Sequence, residues 1–264
     1  MRLACWLLAI GAISNAADPL TARTGVPLDT NRTGHSLILN DVFINGDGPF
    51  RMLVDSGNAT SVVRPRVARR LNLKTAYFIE QATVADTRRV PATILEQVRA
   101  TSVIDRSVEA IIGDVFQPGV DGILGANWLV RHDYLLDYRN ERIVLDGEPA
   151  LFGVRVPLRS GDGRPVVVAS IDGRSRELVV DAGASAIVLF EKPTDGKDVA
   201  RLNANGASTR ALRFMARFSL SGDGEHLMEA VRVDVRGLGQ GLLPTSAFRS
   251  VFISNREGFV EFAR

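Results

Sequence analysis

The sequence predicts an all-β protein with few short helices, built as two lobes from an internal duplication. Three observations predict it. Short apolar–polar alternations are broken by turn dipeptides, the pattern of half-buried strands. A hairpin followed by Asp-x-Gly occurs in the first half and again, in the same order, in the second. The 264 residues, 45% hydrophobic and 23% charged, are enough for two modest globular domains. Aromatic residues make up only 6%, so the core is expected to be built from Val, Leu, Ile and Ala.

The chain opens with Arg2, an apolar run over Leu3–Ile13, and the small residues Ser14-Asn15-Ala16. This is the pattern of a secretory signal peptide, and residues 1–17 read as one. The apolar run is too short to serve as a permanent transmembrane helix. The protein is therefore expected to be exported, periplasmic or secreted, with no stable membrane insertion once the signal is removed. The single cysteine, Cys5, falls within this leader. The mature chain is then expected to hold no disulfide, thiol nucleophile or thiolate metal site. Residues 18–34, with Pro19, Gly25 and Pro27, read as a polar arm.

The first lobe is placed at residues 35–150. Leu37, Leu39, Val42 and Ile44 alternate up to Asn45-Gly46, and Phe50, Met52 and Val54 alternate after it. Asn-Gly between two such runs is a strong hairpin signal. The hairpin delivers the chain to Asp55-Ser56-Gly57, then to apolar Val62-Val63 and a short helix over Pro65–Leu73. Asp121-Gly122-Ile123-Leu124-Gly125 follows, leading to Asn127-Trp128-Leu129, and a terminal strand is expected over Arg139–Leu145.

The second lobe, residues 151–264, writes the same text again. Ala169-Ser170-Ile171-Asp172-Gly173 is the counterpart of the first turn. Leu178-Val179-Val180-Asp181-Ala182-Gly183-Ala184-Ser185 follows, placing Asp181 126 residues after Asp55. Gly241-Leu242-Leu243-Pro244 matches Gly122 to Gly125, and Asn255–Phe262 is expected to be the matching last strand.

These elements resemble the aspartic peptidase clan, and specifically bacterial retropepsin-like and pepsin-like proteins with two duplicated lobes in one chain. The resemblance covers nearly all of residues 35–264. It implies that Asp55 and Asp181 face each other across the lobes as the catalytic pair. It implies that Gly57 and Gly183 let the backbone turn back toward the carboxylates, with Ser56, Asn58, Ala182 and Ser185 supporting them. It implies that the turns at Gly122, Gly125 and Gly241 pack beneath. Two carboxylates at close range hold one proton between them. The ionised member then activates a water and the protonated member polarises a peptide carbonyl. The implied activity is aspartic endopeptidase action on extended polypeptide, needing no cofactor and no metal. Both aspartates come from one chain, so a monomer suffices.

Three positions depart from the family pattern. Ala182 stands where a hydroxyl residue is usual, Pro244 where Gly is usual, and Asn58 where Ala or Ser is common. The Asn58 amide is expected either to reach a carboxylate or to accommodate a left-handed turn. These departures keep a second reading open, a catalytically weak or inactive relative that binds peptides in the same cleft. Segments 82–93 and 202–211 are expected to form flap hairpins, and a third reading is a zymogen-like protein in which the 18–34 arm, with Arg23 and Arg32, covers the cleft.

Other chemistries fail on inventory. The three histidines, His35, His132 and His226, have no metal-ligand spacing. No Gly-x-Ser-x-Gly elbow is present. Gly237 to Gly241 is glycine-rich without the residues of a phosphate loop. The run Arg64, Arg66, Arg69, Arg70 reads as a solvated helix face. Without aromatic platforms beside it, no nucleic acid is expected as a partner.

Overall fold

Each half begins with the same hairpin. Leu37–Ile44 and Asp47–Val54 pair antiparallel around Asn45-Gly46, whose φ angles are 52° and 84°. Pro165–Ile171 and Arg174–Asp181 pair around Asp172-Gly173, at 50° and 76°. Two consecutive positive φ values give the turn whose twist matches that of the strands, and Asn, Asp and Gly tolerate them best. The computed structural model describes residues 5–6, 10–14, 37–82, 87–115, 117–147, 153–160, 162–192, 199–204, 207–235 and 239–264. The expected cleavage site, the 18–34 arm and the lobe boundary near 147–152 fall largely outside these residues.

The inner strand of each hairpin then receives a parallel partner. Gly122–Leu124 lies beside Met52–Val54, and Leu242–Pro244 beside Val179–Asp181. A third short strand crosses each partner antiparallel, Ser61–Val63 in one lobe and Ile187–Phe190 in the other. The crossing is tight at two equivalent glycines. A Cβ on Gly122 would stand 2.2 Å from the Val62 carbonyl oxygen, and one on Gly241 2.2 Å from that of Val188. Backbone cannot yield as a side chain can. Gly122→Ala and Gly241→Ala are each expected to destabilise the fold by about 1–3 kcal/mol or more, read as a lower denaturation midpoint.

Packing repeats along with topology. Leu53, Val62, Ile111 and Ile123 form an apolar cluster in the first lobe with Val115 and Val120. Val179, Val188, Val231 and Leu242 form its counterpart in the second with Ala184, Ala211 and Val233. The main core runs continuously through both lobes. It is chiefly aliphatic, as the composition predicts, but includes buried Trp128, Tyr134, Phe218, Phe248 and Phe262.

The described residues form an eight-stranded sheet in the first lobe, a nine-stranded sheet in the second and a five-stranded sheet joining them. The joining sheet takes Arg142–Leu145 and Tyr134–Asp137 from the first lobe, then Ser250–Ser254 and Phe259–Ala263 from the second, and ends on Val154–Pro157. Its centre is the antiparallel pair Leu135↔Phe252 and Leu136↔Val251. The two terminal strands therefore start later than expected. Residues 139–141 and 255–258 are turns, with Glu141 and Gly258 at positive φ, and each terminal strand hairpins onto a partner upstream.

The helix covers Pro65–Arg70 and stops before Leu73, because Asn72 turns left-handed at φ 51°. Its arginines are mostly engaged within the fold. Arg64 donates to the carbonyls of Val115, Gln117 and Val120; Arg66 pairs with Asp121 and Arg70 with Asp47. Among the described residues no helix is long and apolar enough to cross a membrane. Within the predicted leader, Cys5–Trp6 and Ile10–Ser14 are edge strands, beside Tyr77–Ala82 and Val199–Ala204 respectively.

Candidate active site

Val54 and Val180 end the apolar inner strands, and the next residue in each case is an aspartate. Asp55 and Asp181 are both fully buried, at 0% exposure, and close enough that each is felt by the other. Each is held the same way. Asp55 Oδ1 accepts the N–H groups of Gly57 at 3.0 Å and Asn58 at 3.2 Å. Asp181 Oδ1 accepts those of Gly183 at 2.7 Å and Ala184 at 3.1 Å. The two Oδ2 atoms are shielded from solvent and hold no further partner among the described residues.

Each carboxyl also rests on the glycine of the opposite lobe. A Cβ on Gly57 would stand 2.3 Å from Asp181 Cγ, and one on Gly183 2.8 Å from Asp55 Oδ2. Glycine is required here because the opposing carboxyl occupies the space of a side chain.

Burial and mutual repulsion set the charge of the pair. Burial, followed by the neighbouring Asp181 charge, pushes Asp55 well above the ordinary carboxylate range. Burial also raises Asp181, to about 6, against the lowering effect of the Gly183 N–H, the Asp55 side chain, the Ala184 N–H and the Arg164 charge. Such a pair retains one proton where isolated carboxylates have lost theirs.

Ser56 ties the lobes together beneath the pair. Its hydroxyl donates to the Val180 carbonyl at 2.7 Å and accepts the Ala182 N–H at 3.1 Å. Burial pushes the Tyr134 phenol up, and the nearby Ser56 hydroxyl offsets part of that rise. Ala182 is buried and has no hydroxyl to return, so the tie runs in one direction. Ser56→Ala would strand a buried N–H and a buried carbonyl across the lobe interface. It is expected to cost about 1–3 kcal/mol in chemical denaturation.

The remaining expected site residues fall as follows. Gly125 donates its N–H to Ser61 Oγ at 3.1 Å, and a Cβ there would stand 2.6 Å from the Asn58 carbonyl oxygen. Pro244 is at the equivalent register, opposite Asp181, and has no N–H to give. Ser185 is half-buried in the loop after Asp181. Asn58 is fully buried, but its carboxamide does neither thing expected of it. It finds no hydrogen-bond partner among the described residues, and its φ is not positive.

Sequence reasoning passed over Tyr138, its partner Thr245, and Arg164. Tyr138 donates to or accepts from Thr245 Oγ1 at 2.5 Å, and burial followed by the Asp181 and Asp55 charges pushes its phenol up. Arg164 stands close enough to Asp181 for its charge to be felt there. The available signals were weak: Tyr138 directly follows the short strand that carries Tyr134 and Leu136, and Arg164 directly precedes a Pro-led apolar run. The segments expected to be flaps are hairpins, Tyr77–Ala82 with Thr87–Ala100 and Val199–Ala204 with Ala207–Ser219, whose tips at 83–86 and 205–206 lie outside the described residues.

His132 is structural. It is buried between Asp146 at 2.8 Å and Asp105 at 2.7 Å and tilts against Trp128. Among the described residues no three His, Cys, Asp or Glu side chains gather as metal ligands.

Residues 40–131 match the family model described as gag-polyprotein putative aspartyl protease. That span contains Asp55, Gly122 and Gly125 but stops short of the second lobe. No curated protein matches the chain. Among solved structures, a retropepsin-like aspartic protease from Rickettsia conorii is similar at 18% identity and a TM-score of 0.30, over 39% of this chain and 76% of that one.

Proposed function

Taking the chain as a member of the retropepsin-like aspartic peptidase family, we propose that it is an exported endopeptidase in which Asp55 and Asp181 hydrolyse extended polypeptide. One observation carries this reading: two buried carboxyl groups, each held by two backbone N–H groups and each seated on the glycine of the other lobe. That arrangement supplies an acid and a base from a single shared proton.

The ionised carboxylate takes a proton from water as the water oxygen bonds to the scissile carbonyl carbon. The protonated carboxyl gives its proton to the carbonyl oxygen. The tetrahedral diol then collapses: the C–N bond breaks, the nitrogen takes a proton from the pair, and the diol returns one. The pair ends with the single proton it began with. Both carboxyls are fully buried, so a peptide reaches them only when the elements above the site part. A flap role for the two long hairpins supplies that motion. The leader at residues 1–17 supports export, and N-terminal sequencing of the mature chain checks it.

The test is cleavage of a denatured mixed-protein substrate across roughly pH 3 to 8, comparing the protein with Asp55→Asn and Asp181→Asn. Cleavage that both substitutions abolish supports the reading. The one-directional tie at Ala182 favours a second reading, a peptide-binding relative. Retained peptide binding without cleavage at any pH would select it.

A further inference from the structure

The pair is symmetric in its hydrogen bonds but not in its surroundings. The second-lobe hairpin has the register Val166↔Val179. Extended two residues past that last pair, the register leads to Arg164 on the side of Asp181, where its charge is felt. The first-lobe hairpin has the equivalent register Ile38↔Leu53, and among the described residues no cation acts on Asp55.

Arg164 is an unusual residue to find in such a place. Its side chain is only 8% exposed. Its Nε and Nη2 fork onto the Asp162 carboxylate at 2.7–3.0 Å. Its Nη1 is shielded from solvent and has no partner among the described residues. A buried donor without an acceptor costs about 1–3 kcal/mol, and the Asp162 pair alone does not require burial of the guanidinium. An arginine keeps its charge at every pH at which the protein is folded.

We propose that Arg164 is a positioning residue that breaks the symmetry of the pair, holding the negative charge on Asp181 and so leaving the shared proton on Asp55. This rests on the peptidase reading of the two aspartates. In the acting state Asp181 is then the base that takes the proton from water, and Asp55 the acid that gives its proton to the carbonyl. Among the described residues the groups that face Asp181 are few. Asp55 lies across the lobes, Arg164 with Asp162 stands on its own side, and Tyr138 approaches from the joining sheet with its phenol neutral. The Gly183 and Ala184 N–H groups are matched by Gly57 and Asn58 at Asp55, so they do not distinguish the two sides. Arg164 does.

The experiment is the pH profile of kcat/KM for Arg164→Met, Arg164→Lys and Asp162→Asn, with folding checked by circular dichroism. The acid limb reports the first ionisation of the pair. Arg164→Met withdraws the cation from Asp181, so the limb moves to higher pH. Each unit of movement reads as an about tenfold loss of rate at a fixed pH on that limb. Asp162→Asn leaves the cation less compensated and moves the limb to lower pH. Arg164→Lys keeps the charge and should keep the limb close to that of the parent. Displacement in opposite directions is the expected result. Lower rates with an unmoved limb, or displacement in one direction for all variants, would overturn the proposal while the peptidase reading stood.

Should Arg164→Met fail to fold, Asp162→Asn and Arg164→Lys still carry different expectations, a limb moved to lower pH against an unmoved one, and decide the matter. If the unsubstituted protein cleaves nothing, the peptidase reading fails instead. The inference is then decided by carbon-13 carboxyl NMR titration of the full chain, with the two signals assigned through Asp55→Asn and Asp181→Asn. An Asp181 signal that titrates alike in the parent and the Arg164 and Asp162 variants would sink it.

Discussion

Asp55→Asn and Asp181→Asn, each made alone, are expected to reduce kcat/KM for peptide hydrolysis by about 10²–10⁴-fold or more across the whole pH range. Asparagine is nearly isosteric with aspartate. Its Oδ1 can still accept the two backbone N–H bonds that hold each carboxyl, so the loops around Gly57 and Gly183 are kept. It cannot exchange a proton. In the proposed mechanism the pair works with one proton between two groups, and either substitution leaves nothing to exchange it with. The double variant should therefore be scarcely worse than either single one, because the two residues act as a unit. Loss on only one side would break the symmetric-pair model and direct attention to Ala182, where the tie between the lobes is incomplete.

Asp181→Asn is also expected to make the protein more stable at neutral pH. The folded pair binds a proton that the unfolded chain releases. Asp181 is raised from 3.8 to about 6, chiefly by burial. A group whose pKa is raised by folding favours the folded state fully below its unfolded value and loses that favour as pH rises through its folded value. The burden therefore grows between about pH 4 and 6 and is complete at pH 7. Two pKa units correspond to about 3 kcal/mol. Asp181→Asn should recover stabilisation of that order in denaturant titration at pH 7 and almost none at pH 4. Equal effects at the two pH values would show that the carboxyl does not enter the fold under this strain. The combination of lost activity and gained stability is one that simple damage to the fold does not produce.

The parts of the site that are local in sequence were legible in it. The hairpin turns Asn45-Gly46 and Asp172-Gly173 announce themselves by residue type. Asp55 and Asp181 stand out because the same apolar run precedes each, and Gly57 and Gly183 because the chain must turn there. What was not legible depends on register over long distances. The strands Tyr134–Asp137 and Ser250–Ser254 are short and largely buried on both faces, so they lack the alternation that marks a half-exposed strand. The Tyr138–Thr245 hydrogen bond spans 107 residues. Arg164 meets Asp181 only once the second hairpin is paired. Arg64 looked like part of a charged face because sequence shows the charge and not the three carbonyls that take it up. The idle carboxamide of Asn58 had no local signal at all.

The antiparallel pairing at the centre of the joining sheet, Leu135↔Phe252 and Leu136↔Val251, is the kind of contact that two identical chains also make about a twofold axis. Here both strands belong to one polypeptide. The covalent link keeps each lobe at a high effective concentration for the other, in the millimolar range for short flexible links, so the halves meet without any demand on protein abundance. It also changes what a mutation means. In a pair of identical subunits every substitution is entered twice. Losing the hydroxyl at the position of Ala182 would remove both arms of the tie, and an arginine at the position of Arg164 would stand beside both aspartates and favour neither. In a linked pair each change is entered once. Ser56 keeps one arm while Ala182 gives up the other, and Pro244 departs while Gly125 stays. Joining the lobes thus allows the two halves to diverge into different jobs.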